Sequence, residues 1–259
     1  MWYVVEAEED AELIYGLRED VTGEAFCASV DKGDYDSVMR RVPVRAGETY
    51  FVPSGMLHAI GAGLLIAEIQ QNSDLTYRVY DFDRKGADGK LRPIHVDKAK
   101  AVTRPFTEEE IGAVRYSRGL PEDENVLADC PYFRVTRVEG AAELDVTDES
   151  FTHLLCVEGE GCLMCDKEKY PVKKGDSCFL PLREWVALPW RVAPPCWPPP
   201  HILTEKESCL YRKRCEQPIG KPKPSSSGQR ELGFYIQILF NACSKNAAAS
   251  LTFDSRFCV

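Results

Sequence analysis

PVRAGETYFVP, residues 43–53, recurs later in the chain as PVKKGDSCFLP, residues 171–181. Each matched position is offset by 128 residues, and both copies keep a glycine followed by an acidic residue between two short apolar runs. The glycine permits the backbone angles of a tight turn, and the β-branched and aromatic residues on either side favour strands. The repeat therefore predicts two related β-modules in one chain.

The sequence around both copies has the texture of an all-β protein. Short runs rich in β-branched and aromatic residues, such as Trp2–Glu6, Leu64–Ile69 and Thr152–Val157, are separated at short intervals by turn residues. This pattern favours a sandwich or barrel over a parallel α/β sheet, and we expect few helices. The clearest helix candidate follows Thr107, whose hydroxyl would cap the first turn while Glu110 reaches back to complete a capping box.

Composition and charge exclude several classes of protein. Hydrophobic residues make up 44% and charged residues 28%, as in ordinary globular proteins. A net charge of −9 argues against general nucleic-acid binding, although one well-placed arginine could still hold a phosphorylated small molecule. No apolar stretch approaches the roughly 20 residues of a bilayer span, and the first residues lack the pattern of a secretory signal. We expect a cytoplasmic protein without nucleic-acid or membrane partners, and the oligomeric state stays open.

A histidine follows the first copy of the repeat at the spacing Gly47-x5-Pro53-x-Gly55-x2-His58. A strand, a tight turn and another strand would place this imidazole inside a barrel, and a neutral imidazole binds Zn²⁺ without adding charge. A core or turn histidine with satisfied hydrogen bonds is the alternative interpretation. The second copy has no following histidine, so we expect its module to be architectural.

Polar side chains interrupt the apolar runs that follow His58. In strand geometry Glu68 and Gln70 share one face, and Arg78 lies in the middle of a predicted strand at Thr76–Asp81. Charged and amide groups in such runs are costly to bury without partners, so we expect them to line a polar barrel interior. A salt bridge between Arg78 and a nearby aspartate, or between Arg78 and Glu68, is the alternative.

Four blocks of this sequence resemble the bacterial short form of the type I mannose-6-phosphate isomerases, a family of the cupin superfamily. They are MWYVV at 1–5, FVPSGMLHAI at 51–60, EIQQNSD at 68–74 and TYRVYD at 76–81. The resemblance extends over about residues 1–181. It implies an all-β protein made of double-stranded β-helix (cupin or jelly-roll) barrels, arranged as two modules.

The resemblance also implies a reaction and a site. The reaction interconverts mannose 6-phosphate and fructose 6-phosphate through a cis-enediol with the help of one Zn²⁺ per catalytic domain. By resemblance His58 is a metal ligand and Arg78 is catalytic, whereas Glu68 and Asp74 bind the hexose phosphate. The family's other zinc ligands, a Gln-x-His block and a glutamate, precede the segment that begins here at Met1. We therefore expect an incomplete chain with weak activity or none.

Two other functions stay open. A non-catalytic cupin that binds a sugar or a sugar phosphate would use the same fold without turnover. Another metal-dependent cupin, such as a dioxygenase, would need the same absent ligands.

The chain changes character after Pro181. Residues 182–259 hold nine of the 17 prolines and carry a net positive charge, unlike the rest of the chain. Proline removes donors from a strand ladder, so the run PPCWPPP at 194–200 cannot be a central strand. We expect a foreign, frame-shifted or disordered extension here, and a genuine C-terminal domain is the alternative.

The expected organisation has four parts. They are a catalytic cupin domain that lacks its N-terminal part at 1–104, a helical connector at 105–127, a degenerate second cupin module at 128–181 and the atypical tail at 182–259.

Overall fold

The computed structural model describes most of the chain before Pro181. The described residues are 1–71, 73, 75–81, 84–121, 123–144, 150–165 and 168–180, with strands at 190–193, 234–240 and 257–258. The candidate residue Asp74 and, apart from those three strands, the tail at 182–259 lie outside the described residues. The chain divides into two compact units, the first consisting mainly of Met1–Glu122 and the second mainly of Arg134–Lys245.

Two antiparallel sheets form the first unit. Its strands are β1 (Trp2–Ala7), β2 (Glu12–Leu17), β3 (Met39–Pro43), β4 (Thr49–Tyr50), β5 (His58–Ile60), β6 (Leu64–Glu68) and, from the end of the chain, β16 (Phe257–Cys258). One sheet has the order β4-β1-β6 and the other the order β16-β5-β2-β3. The first copy of the repeat therefore supplies strands to both sheets.

Three helices occur in the described residues. They are α1 (Gly23–Asp31), α2 (Val96–Val102) and α3 (Glu108–Arg115). None of these helices has the length and apolar character that a membrane span requires. Only α3 has a capping box. The Thr22 side chain caps α1, but Ala25 occupies the position that a capping box fills with glutamate or glutamine, and no side chain caps α2.

The predicted capping box at the start of α3 is confirmed. The Thr107 hydroxyl accepts a hydrogen bond from the Glu110 backbone N–H at 3.1 Å, and the Glu110 carboxylate accepts one from the Thr107 N–H at 2.8 Å. Arg104 adds a contact to the same carboxylate at 3.1 Å. The hydrogen bond from the Thr107 N–H, and to a smaller extent the one from Arg104, holds the pKa of the Glu110 carboxyl below its usual range.

Strand alternation sorts the side chains of the first unit into two clusters. Trp2, Val4 and Leu13 are buried together, and Ile60 packs against them. The neighbouring positions on β2 and β5 point to the opposite side. There a second cluster joins sheet residues to helix residues of α1 and α2: Ile14, Ala59, Phe26, Val30 and Ala99. The sheet that carries His58 is therefore covered by helices on one face and by the other sheet's side chains on the other.

The second unit is also built from two sheets. Its strands are β8 (Phe133–Glu139), β9 (Ala142–Leu144), β10 (Thr152–Glu158), β11 (Glu160–Cys165), β12 (Glu168–Lys173), β13 (Ser177–Leu180), β14 (Trp190–Ala193) and β15 (Phe234–Phe240), and β7 (Val126–Asp129) crosses the boundary between the units along the chain. One sheet has the order β12-β11-β14-β9, and in the other β13, β10, β15 and β8 are neighbours in that order. The expectation of an all-β architecture with few helices is confirmed.

The first copy of the repeat forms a turn that is tied to β1. Gly47, at a φ of 92°, donates its N–H to the Val4 carbonyl at 2.8 Å, and the Val4 N–H donates to the Glu48 carbonyl at 2.9 Å. The Glu48 carboxylate accepts the Arg45 N–H at 2.9 Å, which closes the turn. The glycine and the acid of the motif thus have separate roles: one allows the backbone angle, and the other satisfies a backbone donor.

The second copy repeats this arrangement against β10. Gly175, at a φ of 90°, donates to the Cys156 carbonyl at 2.8 Å, and the Cys156 N–H donates to the Asp176 carbonyl at 3.0 Å. The Asp176 carboxylate accepts the Lys173 N–H at 2.9 Å. The two segments match in hydrogen bonding as well as in sequence, which confirms that they are structural repeats.

Replacing Thr107 with alanine tests the cap of α3. The Thr107→Ala variant should lose about 1 kcal/mol of unfolding free energy, because the Glu110 N–H loses its acceptor. Thr107→Ser keeps the hydroxyl and should retain most of that free energy. Urea unfolding followed by circular dichroism measures both variants, and equal losses in the two would contradict the capping role.

Candidate functional site

His58 begins β5, where it pairs in register with Tyr15 of β2. Its Nδ1 lies 2.7 Å from the Met56 carbonyl oxygen, which can only accept, so Nδ1 carries the proton. A neutral ring then has its lone pair on Nε2, the nitrogen left to bind a ligand. Burial lowers the pKa of His58, against opposing effects of the Met56 carbonyl and Glu68. The ring is therefore neutral at neutral pH, as a metal ligand must be.

Trp2 connects His58 to Glu68. The ring centroids of Trp2 and His58 are 5.3 Å apart in an edge-to-face arrangement, and the Trp2 indole N–H donates to the Glu68 carboxylate at 3.1 Å. Trp2 and Glu68 are also cross-strand partners between β1 and β6. The structure thus brings His58, Trp2 and Glu68 together. Glu68 and Gln70 are exposed to solvent.

Arg78 lies in an irregular segment. The predicted strand at Thr76–Asp81 is wrong, since residues 75–81 form no regular strand. The main chain of Arg78 is instead hydrogen-bonded to His95: the Arg78 N–H donates to the His95 Nδ1 at 3.3 Å, and the His95 N–H donates to the Arg78 carbonyl at 2.7 Å. The side-chain Nε of Arg78 is buried and has no hydrogen-bond partner in the described part of the chain.

Asp81, the described aspartate nearest to Arg78 in the sequence, does not pair with it. Asp81 is buried and accepts two hydrogen bonds from the Arg92 guanidinium, at 2.6 and 2.5 Å. Among the described residues, no hydrogen bond or ion pair links Arg78 to His58 or to Glu68 either. The alternative of a strand-face salt bridge from Arg78 to Asp81 or Glu68 is therefore wrong. Asp74 and Asp83 lie outside the described residues.

Gly55 of the histidine motif is constrained both by its backbone angle and by a neighbouring helix. Its φ is 88°, and a Cβ built on it would lie 2.7 Å from the carbonyl oxygen of Val102, the last residue of α2. The Gly55 carbonyl also accepts the Arg104 N–H at 3.2 Å. The glycine lets the end of α2 pack against the turn that leads into His58.

The described residues do not make a zinc site by themselves. Catalytic zinc normally takes three protein ligands and keeps one open position. Within the described ranges, no group of three histidine, cysteine, aspartate or glutamate side chains is close enough to hold a metal ion. The Nε2 of His58 has the chemistry that zinc accepts, a neutral imidazole nitrogen.

Sequence reasoning did not single out Trp2 and His95 as site residues. Trp2 lies in the block that resembles the family, and its ring contacts the His58 ring from the neighbouring sheet. His95 carries no signal at all, because its ring contacts the main chain of a residue 17 positions away.

Comparison with known proteins supports the assignment of the fold. A family model described as "Mannose-6-phosphate isomerase, cupin domain" matches residues 123–185, which lie largely in the second unit. The crystal structure of the mannose 6-phosphate isomerase from Bacillus subtilis superposes with a TM-score of 0.59 at 31% identity, covering 74% of this chain and 60% of that one. The cupin fold expected from the sequence is confirmed.

Curated relatives agree with this result. Mannose-6-phosphate isomerase ManA of Bacillus subtilis is 40% identical over 182 residues, which are 70% of this chain and 57% of ManA. Mannose-6-phosphate isomerase of Streptococcus mutans is 36% identical over 189 residues, 71% of this chain and 58% of the relative. The chain thus spans little more than half the length of these relatives.

The paired β-modules and the histidine motif define a protein of the cupin class. Within that class, the chain is similar to mannose-6-phosphate isomerases over about 70% of its length.

A pair of glycine substitutions tests the packing behind His58. Gly47→Ala should lower the free energy of unfolding by about 1–2 kcal/mol, because the positive φ is strained for alanine. The added Cβ would meet no neighbour closer than 4.0 Å, so no steric contact adds to this loss. Gly55→Ala should lower the free energy of unfolding by clearly more, because the added Cβ would also clash with the Val102 carbonyl oxygen. Chemical unfolding measures both free energies, and equal costs would show that α2 does not constrain the turn.

Proposed function

We propose that this chain carries part of the site of a mannose-6-phosphate isomerase. The reaction interconverts mannose 6-phosphate and fructose 6-phosphate by moving a proton between C1 and C2 through a cis-enediol. The names of the relatives support this reaction, and one observation in the chain itself supports the substrate: the buried Nε of Arg78 has no protein partner in the described residues.

The chemistry of Arg78 suits a hexose phosphate. A guanidinium is always charged and presents a planar fork of donors that matches phosphate oxygens. A buried donor without a partner costs about 1–3 kcal/mol, and a bound oxyanion would remove that cost. The anion could be the phosphate group or the enediolate oxygen that develops during the reaction. We therefore assign the catalytic role to Arg78 and propose Glu68 and Asp74 as residues that bind the sugar.

The proposed metal ligand is His58, through its Nε2. The geometry at Nδ1 favours this role, because a backbone carbonyl fixes the tautomer in the way that supporting groups do at metal sites. A zinc-assisted reaction would nevertheless need ligands beyond the described residues, since these supply only one. We propose that the chain as given binds zinc weakly and turns substrate over slowly or not at all.

A non-catalytic cupin that binds a sugar phosphate is the second candidate. The buried Nε of Arg78 favours it, because this arginine could hold a phosphate without any metal. Both proposals concern a small phosphorylated sugar, and the absence of nucleic-acid partners and the cytoplasmic location stay predictions from charge and sequence.

Calorimetric titration with mannose 6-phosphate tests the role of Arg78. The unmodified chain should bind the sugar phosphate, and Arg78→Ala should weaken binding at least about tenfold, as expected for the loss of a charge-assisted hydrogen bond of about 1.5–3 kcal/mol. Arg78→Lys keeps the charge without the fork and should be intermediate. Arg45→Ala, which removes an exposed arginine from the repeat turn, is the control. Unchanged affinity in Arg78→Ala would contradict the proposal.

Metal analysis and a fructose 6-phosphate assay separate the enzyme from the binding protein. We expect less than one zinc per chain and little turnover. Turnover that rises with added zinc and disappears in His58→Ala would favour the isomerase, whereas binding without turnover at saturating zinc would favour the binding protein. Full zinc occupancy with turnover that survives His58→Ala would overturn the assignment of His58.

A further inference from the structure

Arg78 needs a structural anchor that its own segment does not provide. Residues 75–81 form no strand, so no sheet ladder fixes the position of the Arg78 main chain. A long side chain on an irregular segment would sample many positions, and ordering it costs conformational entropy. Catalytic and binding groups lose much of their effect when they are displaced by even about 1 Å. Something outside the segment must therefore hold Arg78.

His95 makes two hydrogen bonds to the main chain of this one residue. Its backbone N–H donates to the Arg78 carbonyl at 2.7 Å, and its ring Nδ1 accepts the Arg78 N–H at 3.3 Å. The imidazole nitrogen thus takes the place that a strand carbonyl would occupy in a ladder. Both polar groups of the Arg78 peptide backbone are satisfied by a single partner.

His95 is itself fixed by α2. It is the N-cap residue of that helix, and its carbonyl accepts the Ala99 N–H at 2.9 Å. Ala99 is fully buried in the same apolar cluster as Val79, the residue after Arg78. The Tyr77 ring lies 6.2 Å from the His95 ring. The histidine is therefore attached to a packed helix, and the residues on both sides of Arg78 face it or its cluster.

Hydrogen bonds link residues near the two ends of the segment between Arg78 and His95. Asp81 and Arg92 form the buried two-point ion pair described above, and the Arg92 N–H donates to the Arg84 carbonyl at 3.3 Å. Farther out, the Gly86 N–H donates to the Lys90 carbonyl at 2.8 Å. The Arg78–His95 pair is the base of this closed arm and connects it to α2.

We infer that His95 is the positioning residue for Arg78. It holds the main chain so that the Arg78 side chain, with its Nε buried, keeps one orientation, ready for an anion. The consequence for sugar-phosphate binding rests on the proposed function, whereas the hydrogen-bond geometry does not.

Nuclear magnetic resonance tests the geometry without any ligand. An N–H···N hydrogen bond transmits a scalar coupling, so a coupling between the Arg78 amide nitrogen and the His95 Nδ1 is expected in the labelled chain. The Arg78 Nε proton should exchange slowly with water, because this atom is buried. In His95→Leu the exchange of that proton should accelerate about 2- to 10-fold, since losing a neutral hydrogen bond shifts an opening equilibrium by that factor.

A conservative variant separates positioning from simple structural damage. In His95→Asn the side-chain oxygen replaces Nδ1 as acceptor, so both slow exchange and mannose 6-phosphate affinity should return close to the unmodified values. In His95→Leu the affinity should fall about 10- to 100-fold with the fold intact by circular dichroism. His153→Leu, at a histidine of β10 in the second unit, is the control and should change neither readout.

The outcomes keep this inference separate from the proposed function. Absence of the coupling, or an Arg78 Nε proton that exchanges equally fast in all variants, overturns the positioning role. Equal affinity in His95→Leu and the unmodified chain overturns it as well. If no variant binds the sugar phosphate, including the unmodified chain, the proposed function fails, and the coupling and the proton exchange still decide the role of His95.

Discussion

The hydrogen-bonded turn at Gly47 is the constraint on which the first unit depends. It ties the repeated segment to Val4 in β1 and directs the chain into the next strand and the turn before His58. A glycine is needed because the turn requires a positive φ, and an acid is needed because a backbone donor would otherwise lose its partner. The second unit uses the same solution at Gly175, so one local rule generates both β-modules.

The site follows from how this scaffold sorts its side chains. The His58 ring contacts Trp2 of the other sheet, and its protonated Nδ1 is fixed by the Met56 carbonyl. Arg78 is positioned differently: it lies in an irregular segment that is hydrogen-bonded to His95 at the start of α2. The position of His58 therefore depends on the sheets, and that of Arg78 depends on a helix. The sheets thus present a neutral imidazole nitrogen, and a separately anchored segment presents a charged donor.

The sequence predicted those features that depend on local rules. The repeat turn and the capping box at Thr107 use residue types whose backbone preferences are specific, and both were found as expected. The strand predicted around Arg78 failed because alternation of polar and apolar residues cannot reveal whether a neighbouring strand is present to pair with. The role of His95 depends on a contact between distant positions, and Gly55 is constrained by a helix end, so neither could be derived from spacing alone.

We propose that Arg78, whose Nε is buried, receives the anion of a phosphorylated sugar. A crystal structure of the chain with mannose 6-phosphate would decide this. It should show an oxygen of the phosphate or of the sugar within hydrogen-bonding distance of the Arg78 Nε, with the two hydrogen bonds to His95 retained. A ligand bound elsewhere, with the Arg78 Nε paired to a carboxylate of the protein, would contradict it.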